Sequence, residues 1–359
     1  MRQEKDFISK IELEDHYFGI HTFRATQNFD FDQKVTSLRL IYAITQVKKA
    51  AALANHKVQL LDTQKCEAIC FACDEILAGK YDTQFITHPL QGGAGTSTNM
   101  NVNEVIANIA LEKFGYLKGE YHYLSPLDDV NMSQSTNDVY PSSMRIAAIY
   151  ALRDCADEIA LLQKAFIDKE HQYADLLHLG RTQYMDALPI SWGQTFSAYA
   201  SVINRDRWRL YKVEERLRTI NLGGTAIGTG VNADQKYIFA LTDYIQDITG
   251  LGLARSENLI DATQNFDVFV EVSGLIKTAA LNLMKIANDF RLLGSGPHGG
   301  LAELKLPTHQ AGSSIMAGKV NPIICEAIVQ IALKIQGNDN VISSACSLGV
   351  LELNAFGPL

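Results

Sequence analysis

Proline, tryptophan and positive charge are all scarce in this chain of 359 residues. It has 8 prolines and 2 tryptophans, and because so few prolines interrupt its apolar segments, long helices are possible. The formal net charge is −8 at pH 7, a balance that does not suggest binding to nucleic acid or to an anionic membrane. No stretch approaches the roughly 18 apolar residues of a membrane span, and the charged residues 1–6 lead into no apolar signal core. We therefore expect a cytoplasmic protein.

Several well-known catalytic and metal-binding motifs are also missing. The sequence has no P-loop, no Gly-x-Ser-x-Gly elbow, no His-Glu-x-x-His and no pair of Cys-x-x-Cys motifs. Three of the 6 cysteines, Cys66, Cys70 and Cys73, have the i, i+4, i+7 spacing of one helix face. They could form a metal or redox site, or they could be small apolar residues in a helix core; the spacing favours the core.

Apolar residues recur every three to four positions through most of the chain, which predicts helices. Runs of about 30 residues would form helices of about 45 Å, and strand–helix alternation of the Rossmann or barrel kind is missing. The wide apolar faces of these helices indicate a homo-oligomer. Shorter helices are predicted over 37–54, 63–77 and 103–114, and long ones over 142–175, 189–220, 262–293 and from 322 onwards.

This pattern predicts a mainly α protein with two domains. A smaller mixed domain is expected over residues 1–138. An elongated long-helix bundle is expected over residues 139–359.

Four polar segments interrupt the helical pattern and could carry chemistry. The glycines of 91–104 would let backbone N–H groups approach an anion near a helix N-terminus, although a flexible loop with helix caps has the same composition. The hydroxyls and amides of 131–138 could hold a carboxylate without adding net charge, or could belong to a solvated loop. Segment 180–187 alone favours an interhelical turn with Asp186 near a cap. Segment 312–322 could be a surface linker, or a mobile loop that closes over a substrate.

The four segments occur together in the order typical of the aspartase/fumarase superfamily. Residues 312–321 resemble its signature, Gly-Ser-Ser-x-Met-Pro-x-Lys-x-Asn, and residues 221–230 and 288–293 resemble two further blocks. Within the superfamily, residues 93–97 and 134–140 resemble the aspartase branch. Gln183 follows Thr182 where fumarases more often have histidine, which again favours an aspartase.

The resemblance implies a carbon–nitrogen lyase that reversibly deaminates L-aspartate to fumarate and ammonia through an aci-carboxylate intermediate. It implies Ser313, as an alkoxide, for the catalytic base. It implies no redox cofactor, leaves stimulation by a divalent ion open, and implies a homotetramer whose active sites are shared between subunits. The substrate-binding residues would be Thr96, Ser135, Thr136, Asn137, Thr182, Gln183, Lys319 and Asn321.

The sequence departs from the superfamily pattern in three ways. Ala317 stands where the signature usually has proline, and alanine would loosen the loop. His298 stands where arginine is usual. Relatives continue through the rest of the helical domain and a small C-terminal domain, which we expect to be absent here.

Two alternatives to the ammonia-lyase stay open, and the departures favour the second of them. One is a fumarase or a lyase for a substituted aspartate, and the other is a truncated, non-catalytic helical scaffold. A stable tetramer would keep the shared site possible, whereas a monomer would favour the scaffold.

Overall fold

The computed structural model describes all residues, 1–359, and helices dominate it. The predicted mainly α fold is confirmed. One predicted helix, 63–77, has the same bounds in the structure. The helices are α1 (Ile20–Asn28), α2 (Leu38–Lys57), α3 (Thr63–Leu77), α4 (Thr96–Lys113), α5 (Thr136–Gln172), α6 (Trp192–Leu217), α7 (Gln235–Thr249), α8 (Leu259–Gln264), α9 (Asp267–Leu293) and α10 (Ile323–Ser347).

Six short strands form three two-stranded sheets. Two of the sheets are antiparallel hairpins, whereas the third pairs two-residue strands in parallel. The strands are β1 (Arg2–Lys5) with β2 (Lys10–Leu13), β3 (Leu177–Thr182) with β4 (Met185–Ser191), and β5 (Thr219–Ile220) with β6 (Ala254–Arg255).

The chain divides into two compact units, and the first comprises residues 1–150, 215–267 and 344–359. In this unit α2 packs against α3 and α7, and α3 packs against α4. Ile44, Val47 and Ala51 on α2 are fully buried, as is Ile69 on α3. Helix α4 is buried on every side, and its buried residues include Asn99, Asn101, Asn103 and Glu104.

The second unit comprises residues 151–214 and 268–343. Within it an aromatic cluster joins α5, α6 and α9, because the rings of Phe166, Phe196, Tyr199 and Phe290 have centroids 5.7 to 6.4 Å apart. Helix α10 is linked to α9 by a 2.8 Å hydrogen bond that Ser273 of α9 donates to Asp339 of α10. The predicted domain boundary at 138/139 stays a prediction.

Two sequence-based expectations about local structure are wrong. Residues 177–191 form a β-hairpin instead of an interhelical turn with the start of a helix at 189, since Pro189 lies in strand β4. Helix α4 begins at Thr96, seven residues before the predicted start at Asn103. Its polar first turns pack in the protein interior, where the apolar periodicity gives no signal.

The three spaced cysteines lie on α3. Cys66 and Cys73 are buried and Cys70 is half-buried, as expected for residues of a helix core. Burial raises the pKa of the Cys73 thiol, so it stays protonated. None of the helices combines the length and apolar character needed to cross a membrane.

Candidate active site

Thr96 is the first residue of α4, and the backbone before it is tightly constrained. Gly95 has φ +93°, and a Cβ there would lie 2.4 Å from the Tyr140 ring, so only glycine fits. The Thr96 hydroxyl donates to the carbonyl of Gly93 at 2.7 Å. The glycines of this segment therefore bring the chain close to Tyr140 and set where α4 begins.

The second polar segment ends in a turn that leads into α5, which begins at Thr136. Ser135 precedes the helix, and its Oγ accepts a 3.2 Å bond from the N–H of Asn137. The Thr136 Oγ1 accepts a 3.2 Å bond from the Asn99 amide of α4. Because both hydroxyl oxygens act as acceptors inside the protein, both hydroxyl hydrogens are left to donate to an anion.

A proline near the start of α5 leaves one backbone carbonyl without its helical hydrogen bond. Pro141 has no N–H, so it cannot bond the carbonyl of Asn137 four residues earlier. The side-chain amide of Asn221 donates to that carbonyl at 2.9 Å. In return, the Asn137 amide donates to the carbonyl of Ala226 at 2.8 Å. Segment 221–226 is thus attached to the first turn of α5 at two points.

The Asp138 carboxylate completes this attachment. Its oxygens accept from the N–H groups of Ser135 at 3.0 Å, Gly223 at 3.0 Å and Thr225 at 3.1 Å. Burial raises the pKa of Asp138 to about 6, although the three backbone hydrogen bonds oppose that shift. Asp138 and Asn221 are functional candidates that the sequence-based prediction missed, even though both lie in recognised motif blocks.

An open cavity of about 560 Å³ lies beside this turn. Its wall combines hydroxyl and amide groups with apolar side chains, which suits a small polar ligand. Of the predicted binding residues, Ser135 lines it. The other lining residues are Ser133, Gln134, Thr225, Ala226, Ile227, Thr229, Val231 and Asn232.

In the second unit, Thr182 and Gln183 lie at the tip of the β3–β4 hairpin. Gln183 and Tyr184 have φ +54° and +65°, as the two central residues of a type I′ turn require. Thr182 and Gln183 are exposed. At the base of the tip, Arg181 forms an ion pair with Glu303, which ties the hairpin to the segment that follows α9.

The signature loop, residues 312–321, also lies in the second unit and is closed by its own backbone. The Gly312 N–H donates to the Lys319 carbonyl at 2.7 Å, and the Asn321 amide donates to the Gly312 carbonyl at 2.8 Å. Lys319 is exposed. The Ser313 Oγ accepts from the N–H groups of Ile315 at 3.2 Å and Met316 at 3.0 Å.

The predicted residues thus form two groups. Ser135, Thr136 and Asn137 share one turn in the first unit, and Thr96 shares α4 with Asn99, which contacts Thr136. Ser313, Lys319 and Asn321 share one loop in the second unit, where Thr182 and Gln183 share the hairpin tip. In the described residues, 1–359, no three or more His, Cys, Asp or Glu side chains converge on a point that could hold a metal ion.

A family model described as lyase matches residues 10–337 of the chain. Among solved structures, the fumarate lyase:delta crystallin from Brucella melitensis bound to cobalt has a TM-score of 0.97 and 45 % identity, covering 99 % of this chain and 78 % of that one. The class II fumarase from Schistosoma mansoni has a TM-score of 0.95 and 33 % identity over the same shares. The chain belongs to this lyase family, the aspartase/fumarase superfamily.

Similar sequences point to one branch of that family. The aspartate ammonia-lyase of Bacillus subtilis (strain 168) is 48 % identical over 359 residues, which is 100 % of this chain and 76 % of that protein. The aspartate ammonia-lyase of Corynebacterium glutamicum is 46 % identical over 362 aligned positions, 100 % of this chain and 69 % of that protein.

Proposed function

We propose that the protein is an aspartate ammonia-lyase, which converts L-aspartate reversibly to fumarate and ammonia. The observation that carries the reaction type is the position of Ser313, whose oxygen accepts two backbone N–H groups. The choice of aspartate as substrate rests on the similarity to aspartate ammonia-lyases over the whole chain.

The reaction begins with removal of a proton from the carbon next to one carboxylate. The Ser313 alkoxide takes this proton, and the carboxylate becomes an aci-carboxylate, a dianion. The two N–H groups stabilise the alkoxide, whose formation is the costly condition of the mechanism because a serine hydroxyl is a very weak acid. The carbon–nitrogen bond then breaks, and its electron pair leaves with the ammonia.

Hydroxyl and amide donors hold the two carboxylates in this proposal. Ser135 and Thr136 fit that role because their oxygens already accept hydrogen bonds from the protein. Asn137 fits a contact with the amino group, since its amide nitrogen is held by Ala226 and its oxygen is left as an acceptor. Lys319 adds a positive charge. The remaining members of the proposed set are Thr96, Thr182, Gln183 and Asn321.

The elimination changes no oxidation state overall, so the proposal needs no redox cofactor. Stimulation by a divalent ion remains a separate prediction, which activity measured with and without EDTA and added Mg²⁺ would test. The predicted cytoplasmic location also stays a prediction.

The decisive experiment incubates the protein with L-aspartate and, in parallel, with L-malate, and follows the absorbance of fumarate. We expect fumarate from aspartate and none from malate. Ser313→Ala should lower kcat by at least about a thousandfold, because it removes the base while the hydrogen bonds between Gly312, Lys319 and Asn321 still close the loop. Ser314→Ala, which changes the neighbouring exposed hydroxyl, is the matched control and should keep most of the activity.

Other outcomes separate the alternatives. Fumarate from malate would identify a fumarase. Turnover of N-methyl- or 3-methylaspartate in preference to aspartate would identify a lyase for a substituted aspartate. A folded protein that forms neither fumarate nor, from 3-methylaspartate, methylfumarate would support the non-catalytic scaffold.

We also propose a homotetramer with active sites shared between subunits. Large apolar side chains exposed on the helices support an association of copies; in the second unit they include Trp208 and Tyr211 on α6 and Ile331 and Leu333 on α10. Light scattering should give four times the 39.7 kDa mass of the chain. A monomer would contradict this arrangement.

A further inference from the structure

A lysine buried inside the first unit binds residues 131–138, called the Ser135 turn below, from the protein interior. Lys48 on α2 is fully buried. Its ammonium donates to Asn131 Oδ1 at 2.7 Å and to Gln134 Oε1 at 3.0 Å. Both partners are amide oxygens of the segment that carries Ser135 and Thr136, and no step of the proposed reaction uses Lys48.

The hydrogen bonds continue from Lys48 to a predicted binding residue. Asn131 Oδ1 also accepts from the amides of Asn99 at 3.2 Å and Asn103 at 3.1 Å. The same Asn99 nitrogen donates to Thr136 Oγ1 at 3.2 Å. The series Lys48, Asn131, Asn99, Thr136 is called the relay below.

The relay has a direction, because an ammonium group can only donate hydrogen bonds. Lys48 forces the oxygen of the Asn131 amide towards itself. That oxygen then attracts the nitrogen of the Asn99 amide, which donates to Thr136. The Thr136 oxygen is thereby made an acceptor on its inner side, and its hydrogen points to whatever ligand lies outside.

We propose that Lys48 is a positioning residue that sets the direction of the relay, so that the Thr136 hydroxyl is a fixed donor for an anionic ligand. The inference rests on the proposed function, because it takes that ligand to be a dicarboxylate. Fixing the direction in advance spares the ligand the cost of turning two amides and a hydroxyl when it binds.

A second contact from the same helix supports this role. Asn55, seven residues after Lys48 on α2, donates to the Met132 carbonyl at 3.0 Å and accepts from the Ser133 hydroxyl at 2.8 Å. Ser133 has φ +61°, a conformation that needs such support. Helix α2 therefore holds residues 131–134, the segment that leads to Ser135 and Thr136.

Two ionisable groups, Asp138 on α5 and Cys73 on α3, act on the charge of Lys48, and Tyr237 on α7 interacts with Asp138. Burial lowers the pKa of Lys48 to about 7, against the attraction of Asp138. Burial raises the pKa of Cys73 on α3 and of Tyr237 on α7, so both stay neutral. Asp138 on α5 has a pKa of about 6. Above pH 7 Lys48 is mainly a neutral amine, which can accept a hydrogen bond as well as donate one. It then no longer forces the Asn131 amide into one orientation.

Two substitutions of the same kind, asparagine to aspartate, should have opposite effects on the direction of the relay and therefore different effects on ligand affinity. Asn131→Asp keeps an acceptor at the centre of the relay and preserves its direction. Asn99→Asp replaces the donor to Thr136 by an acceptor, so the Thr136 hydrogen turns inward. Both substitutions introduce one carboxylate of nearly the same size into the relay, so the two variants are matched in shape and in the group that is introduced.

The experiment measures binding of succinate, a dicarboxylate that cannot be eliminated, by calorimetry on the folded full-length variants. We expect Asn99→Asp and Lys48→Met each to raise the Kd about tenfold, the loss of one hydrogen bond to a charged group. Asn131→Asp should stay within about threefold of wild type by the same scale. Lys49→Met, which removes the neighbouring lysine paired with Asp74 at the surface, should leave the Kd unchanged.

The pH dependence gives an independent result. Succinate affinity of the wild type should fall between pH 7 and pH 9, and this fall should be missing in Asn131→Asp, where the new carboxylate keeps Lys48 protonated. Equal weakening in Asn99→Asp and Asn131→Asp, or wild-type affinity in a folded Lys48→Met, would overturn the inference. If Lys48→Met does not fold, the two asparagine variants decide.

The same titrations separate this inference from the proposed function. A protein that binds succinate but forms no fumarate would refute the ammonia-lyase and still test the relay. A protein that forms fumarate with affinities indifferent to the relay would refute the relay alone. A wild type that neither binds succinate nor forms fumarate would overturn both.

Discussion

The Ser135 turn, residues 131–138, and the signature loop, residues 312–321, both present hydroxyls and amides, yet the protein holds them differently. The turn is fastened from three sides, by Lys48 and Asn55 of α2, by Asn99 of α4 and by the 221–226 segment. The hydrogen bonds of the loop run within itself, and most of its side chains are exposed. The proposed ligand-binding groups are therefore fixed by the interior, whereas the proposed base, Ser313, lies on a segment that can adjust.

The largest effect should follow from removing the carboxylate that joins the turn to its neighbours. Asp138→Ala leaves the N–H groups of Ser135, Gly223 and Thr225 without their acceptor, so we expect the free energy of unfolding to fall by about 4 kcal/mol. Urea denaturation measures it. Asp168→Ala, which removes an exposed carboxylate on the same helix, should cost less than about 0.5 kcal/mol. Equal costs would show that the turn is not fastened as described.

Two glycine substitutions compare the signature loop with Gly95, which precedes α4 and packs against Tyr140 just after the Ser135 turn. Gly95→Ala adds a positive-φ penalty and a clash with Tyr140, and should lower the free energy of unfolding by roughly 3 kcal/mol. Gly318→Ala has the same kind of φ, +77°, but open space around the Cβ, and should cost about 1 kcal/mol. Thermal denaturation of both variants gives the difference, and a larger cost at Gly318 would reverse the comparison.

Lys48 should make stability depend on pH. Its pKa is lowered from 10.5 to about 7 by burial, so between these values the unfolded chain holds a proton that the native protein has released. Stability therefore rises with pH in this window, by up to about 1.4 kcal/mol per pH unit relative to Lys48→Met. Urea titrations of both proteins at pH 7, 8 and 9 measure the slope. Parallel curves would mean that Lys48 keeps an ordinary pKa.

The smallest effect concerns the loop. Ala317→Pro should favour its ordered form by about 0.4–1 kcal/mol by restricting the unfolded backbone. We expect kcat for L-aspartate to rise by about twofold to fivefold if closure limits turnover. A fall in kcat would indicate that the loop needs the freedom that alanine gives it.

The sequence predicts the helices best where one face is apolar. Residues 63–77 follow that pattern, and the structure has the helix at the same bounds. The start of α4 could not be predicted, because Thr98, Asn99, Asn101 and Asn103 are polar and buried together. The β3–β4 hairpin was missed because its strands are largely exposed, and Gln183 and Tyr184 replace the glycine or asparagine that usually marks such a turn.

The candidate site was predicted from its motifs, but the residues that fix it were not. Ser135, Thr136 and Asn137 lie in a recognisable block. Lys48 lies in the middle of an ordinary helix, where its sequence neighbours Val47 and Lys49 give no hint that it is buried. Burial of this kind depends on packing between distant segments, which no local pattern encodes.

Pro141 shows that an interruption in a helix can act as a connector. A proline in the first turns costs α5 one hydrogen bond, and the freed carbonyl of Asn137 is the point at which Asn221 attaches. A designer who scored each helix for regularity would replace this proline with alanine. That substitution would restore the helical hydrogen bond, because the N–H of the new alanine could donate to the Asn137 carbonyl. The new donor would compete with the Asn221 amide and so weaken the contact between two segments more than eighty residues apart in the chain.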